Sequence, residues 1–204
     1  MAAFSGNSEA FSIVGAEILD GTTGANATNG DIYGVRTGTL SANTSQFDNT
    51  GNDVVLSRWV WSDYATVTIE SGFVPWYVYS LITGTTIGSS GTAPNDYWSL
   101  PLWDINSLNQ PTRPMRLRSL SKDSNGAIRT FDIILYKVQF NPINFTGPAY
   151  KTGLTFSCSG TALYSSTDEA GNALTNKCIG RIVTSPGTLG QFSAGASYGQ
   201  GNPT

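Results

Sequence analysis

The side chains able to do chemistry in this sequence are fourteen carboxylates, two thiols and eleven cationic groups, because histidine is absent. Without histidine there is no middle member for a Ser-His-Asp relay, so acyl transfer of that kind is excluded. Cys158 and Cys178 lie twenty residues apart, outside any C-x-x-C, and have no histidine to complete a zinc set. They could form one disulfide, but in a reducing compartment they are expected to be two buried thiols acting as small hydrophobes. A carboxylate pair is the remaining catalytic device, and glycoside hydrolysis would need two carboxyls converging on one sugar. Asp20, Asp31, Asp48, Asp53, Asp123, Asp168 and Glu169 instead stand among Gly, Asn and Ser. That context predicts turns, where an Asp carboxylate accepts from its own backbone.

Two further patterns fall short of a site. Asp123-Ser124-Asn125-Gly126 opens like a calcium loop but lacks the third acidic position and the closing Glu. The glycine-rich stretches at 21–30 and 195–201 lack the G-x-x-x-x-G-K-[ST] pattern that cradles phosphate. Trp59, Trp61, Trp76, Trp98 and Trp103 could stack on sugars, but each sits in an apolar run, which favours a core or a subunit interface. The sequence therefore predicts no catalytic residue, no metal and no cofactor.

Charge argues for self-association. Only 12% of residues are charged, about half the usual share, while the hydrophobic fraction is an ordinary 39%; Gly, Ser, Thr and Asn fill the difference. A neutral polar surface of this kind is most easily kept soluble if much of it is covered by other subunits. The net charge is −3 and the basic residues are scattered from Arg36 to Arg181, so no positive stripe for tight nucleic-acid binding is expected. No run approaches the roughly 20 apolar residues of a membrane span. The start, Met1-Ala2-Ala3-Phe4-Ser5-Gly6, lacks the basic and apolar regions of a secretory signal, so synthesis and initial residence in a cytoplasm are expected.

Many short β-patterned runs between turn signals predict a mainly β fold: two packed antiparallel sheets, as a sandwich or partly open barrel, with one short flanking helix. One domain is expected over 1–184, with 185–204 a flexible Gly/Ser/Pro-rich arm. Phe11 to Leu19 is apolar, Asp20 to Gly30 reads as a turn-rich loop, and Ile32 to Leu40 as a strand. Ser41 to Asp53 has no periodicity and reads as a long loop. Beyond it, Val55, Trp59 and Trp61 alternate with Val54, Leu56, Arg58 and Val60, which predicts a strand covered on both faces; Ala65, Val67 and Ile69 mark a half-buried one. Pro75 and Gly84 bracket a short helix containing Trp76, Val78, Leu81 and Ile82. Further strands are expected around Leu154, Phe156 and Cys158 and over Cys178 to Val183, after a turn at Asp168–Asn172.

The most constrained segment is Met115 to Val138. A two-residue Asn125-Gly126 turn would oppose Lys122 with Arg129 and leave Arg118 across from Ile133. A three-residue loop with Gly126 left-handed shifts the register by one. It gathers Met115, Leu117, Phe131, Ile133 and Leu135 on one apolar face and sets Arg118 opposite Asp132 on the other. That second face carries Arg116, Arg118, Thr130, Asp132, Ile134 and Tyr136, a mixture suited to an interface or a solvated channel wall.

Several phrases resemble the tail tube proteins of tailed bacteriophages. They are Arg113 to Asp123 running through the Ser124-Asn125-Gly126 turn to Phe140, Gly72-Phe73-Val74-Pro75-Trp76 with Thr83-Gly84, Tyr97 to Trp103, and Gly153-Leu154-Thr155-Phe156 leading to Ser166–Gly171. The resemblance implies two β-sheets with a flanking helix, six copies closing into a ring, and rings stacked into a hollow tube through which DNA passes without specific binding. It assigns Ser41 to Asp53, including Phe47, Asp48, Asn49, Thr50, Gly51 and Asp53, and the terminal arms to contacts between rings. It also implies a place in the virion tail and partners among sheath, baseplate, tape-measure and tail-terminator proteins. The alternative is a β-sandwich binding module of the lectin or capsid-decoration kind.

Overall fold

The computed structural model describes residues 9–32, 34–51, 54–72, 76–92, 95, 97–99, 111–122, 126–141, 144–146 and 155–186. In chain order the elements are β1 (Glu9–Leu19), β2 (Asn26–Ile32), β3 (Val35–Gly51), β4 (Val54–Ser71), α1 (Trp76–Thr83), β5 (Gly88–Ser90) and β6 (Tyr97–Ser99). They continue with β7 (Thr112–Lys122), β8 (Ile128–Phe140), β9 (Asn144–Thr146), β10 (Thr155–Ala162), β11 (Ser165–Thr167), β12 (Ala173–Cys178) and β13 (Gly180–Pro186). Among the described residues the fold is mainly β and antiparallel with one short helix, as expected. Nine strands form one sheet in the order β2-β1-β7-β8-β10-β4-β3, with β13 added to β8 and β9 to β10; β5–β6 and β11–β12 are separate two-stranded ribbons.

This sheet curls. Strand spacing of roughly 4.8 Å would hold β1 and β4 about 19 Å apart in a flat sheet. Yet Ala16 and Ile18 of β1 share one buried cluster with Ala65, Val67 and Ile69 of β4, Met115 and Leu117 of β7, Leu135 and Val138 of β8, and Phe156 and Cys158 of β10. Only residues 33 and 34 join β2 to β3, although the two strands stand at opposite ends of the strand order. The two layers are therefore halves of one sheet bent over its core, and no ladder joins β2 to β3 among the described residues, so the barrel is partly open.

The helix closes over that core. Val78, Tyr79 and Ile82 are buried with the strand residues, which is the three-and-four spacing of one helix face. Gly84 ends it as the sequence predicts: its φ of 73° is left-handed, and its N–H donates to Ser80 O at 2.8 Å. Trp76, at the first helical position, is exposed rather than part of the core.

The β7–β8 register is the one that the three-residue loop demands. Arg118 pairs with Asp132, Leu117 with Ile133 and Met115 with Leu135, and Gly126 has a φ of 81°. The Asp168 turn also forms as expected, with Ala170 N–H donating to Asp168 Oδ1 at 2.9 Å and Asn172 N–H at 2.8 Å.

Four expectations are corrected. Asn26–Gly30 is not loop but strand β2, paired to β1; only Asp20 and its neighbours turn, with Thr22 N–H donating to Asp20 Oδ1 at 2.7 Å. The run from Ile32 to Leu40 is divided between two strands, Ile32 ending β2 and Val35 opening β3. Ser41 to Gly51 is not a loop but the far part of β3, in register with β4 from Thr66 back to Val54; Asp53 lies outside the described residues. And Ser185 and Pro186, expected in a flexible arm, are strand residues of β13 paired with Thr130 and Arg129; 187–204 lie outside the described residues. No helix among the described residues is long and apolar enough to cross a membrane.

Candidate functional site

The long hairpin β3–β4 changes character halfway along. From Ala65 to Ser71, β4 has β3 on one edge and β10 on the other, and Ala65, Val67 and Ile69 are buried. From Val54 to Tyr64, the described residues give β4 no ladder partner but β3, so the outer half is a two-stranded ribbon. Register places Phe47 directly across from Trp59 on one face and Asp48 across from Arg58 on the other. Phe47 is 60% exposed, Trp59 67% and Val60 60%. Coverage on both faces, expected for this strand, is thus absent from the single chain at its described residues.

Polar contacts hold the ribbon's shape. Arg58 grips Asp48 with two bonds, Nε to Oδ1 at 2.7 Å and Nη2 to Oδ2 at 3.0 Å. These hydrogen bonds hold the Asp48 carboxyl below its usual range. Ser45 donates to Asp63 across the strands, and Tyr164 Oη donates to Ser62 O at 2.9 Å, bracing the ribbon where it leaves the barrel. Asp48 is accordingly an ion-pair member on a strand and not the turn residue that its Asn- and Thr-rich surroundings suggested.

The second candidate face, on the opposite side of the sheet from the main core, is a closed ionic cluster. Glu17 of β1 accepts from Arg116 Nη1 at 3.1 Å and from Arg118 Nη1 at 3.0 Å, and Arg118 Nε lies 3.4 Å from Asp132 Oδ1. Glu17 is buried, as are Thr130, Ile134 and Tyr136, and the other members are half-buried. Burial raises the proton affinity of Glu17 above that of an ordinary carboxyl, although Arg118 and then Arg116 pull the other way. Burial does the same to Asp132, against the same two arginines. Arg116, Arg118, Thr130, Asp132 and Tyr136, expected to form an interface or a solvated channel wall, are buried or half-buried within the single chain, and both arginines meet carboxylates on neighbouring strands. Leu174, Cys178 and Val183 pack against Leu19, Ile134 and Tyr136 on this side.

Glu17 is the residue that sequence reasoning missed. Its signal is a lone carboxylate inside the apolar run Phe11–Leu19, since a charge on a buried strand needs a cationic partner. Glu169, read as a turn residue, is likewise buried and accepts from Arg181. Both thiols are free; Cys158 is in the core, where burial pushes it up to about 12. Among the described residues no group of three or more Cys, Asp or Glu is placed to hold a metal ion. No family model and no curated protein matches the chain.

Proposed function

We propose that this chain is a structural subunit that works by assembling with copies of itself, and that it forms the stacked hexameric rings of a bacteriophage tail tube. The observation that carries the reading is the outer half of β3–β4: a two-stranded ribbon, with no third strand among the described residues, carrying exposed Phe47, Trp59 and Val60. Two-stranded ribbons are marginal in water unless something packs on them. An exposed aromatic pair in a chain of 12% charged residues is a surface that another subunit would cover. The resemblance implies two β-sheets with a flanking helix, the described residues form two antiparallel β layers and one short helix, and the ribbon coincides with the segment that the resemblance assigns to contacts between rings.

In this reading DNA passes through the assembled lumen without specific binding. The net charge of −3 suits this, because a conduit that held phosphates would stall them. The virion tail would be the protein's place, with sheath, baseplate, tape-measure or terminator proteins as neighbours. Electron microscopy of the purified chain at rising concentration tests the proposal: rings or tubes are expected, and the double variant Phe47→Ser/Trp59→Ser should lose stacking while still folding. Monodisperse single particles at high concentration would contradict it.

A further inference from the structure

Where β8 leaves β13 and approaches β10, its pairing with β7 slips by one residue. Arg113 pairs with Val138 but Met115 with Leu135, so two residues of β8, Tyr136 and Lys137, stand against the single Pro114. Proline has no N–H to give the ladder, and a bulge is the ordinary consequence. Flanking Leu135 and Val138 both enter the main core. Tyr136 and Lys137 are thereby released together to the other side, where they line one cleft of about 420 Å³ with Thr112 of β7, Tyr164 just before β11, Ser166 of β11 and Lys177 of β12.

The lining has unused donors. Tyr136 is only 7% exposed, and its hydroxyl has no protein partner among the described residues. Burial raises its phenol above the ordinary value, so at neutral pH the group carries its proton. Lys137 and Lys177 are both exposed, and neither has a carboxylate partner among the described residues. Arg58, Arg116, Arg118 and Arg181, by contrast, each meet one. Asp168 also borders the cleft, but both of its oxygens are occupied by its own turn: Oδ1 accepts from Ala170 and Asn172 N–H, and Oδ2 from Asn172 Nδ2 at 3.0 Å.

We propose that this cleft is an oxyanion-binding site, taking a phosphate or carboxylate group between Lys137 and Lys177 with the Tyr136 hydroxyl donating from its floor. The site does not depend on the assembly reading. An anion there would gain two cationic donors and a phenolic one.

Calorimetric titration of the full chain with inorganic phosphate, in a phosphate-free buffer, tests this. Saturable one-site binding is expected, weakened at least about tenfold in Lys137→Ala/Lys177→Ala and about three- to tenfold in Tyr136→Phe. The lysines are surface residues and Tyr136→Phe removes only a hydroxyl, so all variants should keep the wild-type urea midpoint. Sedimentation with and without phosphate separates the sources: phosphate that dissociates an assembly identifies the natural group as a carboxylate of another copy, and unchanged sedimentation identifies a free anion. Absent saturable binding, or equal binding by wild type and the double-lysine variant, would overturn the proposal.

Discussion

The inner and outer halves of the β3–β4 hairpin are made of the same two strands in one continuous ladder, yet they are governed by different physics. In the inner half Ala65, Val67 and Ile69 are buried, because β10 supplies a third strand and the barrel supplies a core behind them. In the outer half Trp59 and Val60 have the same β propensity, and the described residues offer nothing to lie against. Strand formation follows from the ladder, whereas burial follows from the next layer. Carboxylates divide the same way. Glu17 and Asp132, in the sheet wall, are raised by burial; Asp48, on the ribbon, is lowered by its bonds to Arg58.

The sharpest way to break this contrast is to truncate one aromatic in each region. Phe156 is fully buried among strands of the barrel, and Phe156→Ala should cost about 3–5 kcal/mol of folding stability through lost transfer energy and a cavity. Trp59→Ala removes a larger side chain but one that is 67% exposed, so the urea midpoint of the monomer should scarcely move. Its effect belongs to assembly. If Trp59→Ala destabilised the dilute monomer as much as Phe156→Ala, the ribbon would be packed in solution and the contrast would be false.

How far the sequence could be read follows the same division. The β7–β8 register was legible because one of its faces is buried: a slip by one residue would have turned Met115, Leu117 and Leu135 outward. The helix was legible from Gly84, and the half-buried Ala65–Ile69 strand from its alternation. The outer half of β3 was not, because alternation records one-sided burial and neither face of the ribbon is buried at its described side chains. Ser41–Gly51 consequently reads like a loop although every residue of it is in a strand. The ionic cluster was half legible. Arg118 opposite Asp132 follows from the hairpin alone, but Glu17 is 99 residues from Arg116 and only the β1–β7 ladder brings them together.

The next effect in size tests the wall of the barrel. Arg118 touches both Glu17 and Asp132, so Arg118→Met leaves two poorly solvated carboxylates leaning on Arg116. A loss of about 2–3 kcal/mol at pH 7 is expected. The pH dependence has a definite sign. A carboxyl whose folded-state affinity for protons is raised takes up its proton on folding, so stability rises as pH falls from the raised value toward the ordinary 4.5 of Glu17 and 3.8 of Asp132. The Arg118→Met deficit should therefore shrink between pH 7 and pH 5 in urea unfolding. A deficit that grew on acidification would mean that the pairs outweigh burial.

Asp48 should show the opposite sign and the smallest effect. Its affinity for protons is lowered in the folded chain, so its contribution is complete above the ordinary 3.8 and is lost as pH falls through the lowered value. The pair is open to salt and solvent, and pairs of this kind contribute little to stability. Asp48→Asn should accordingly leave the monomer's urea midpoint at pH 7 within error of wild type. A difference should emerge only in the ribbon: hydrogen exchange at Gln46–Asp48 and Arg58–Val60 should quicken, while exchange at Val67–Ile69 stays slow. Faster exchange in both segments would show that the two halves open as one unit, and the division drawn at Ala65 would have to move outward.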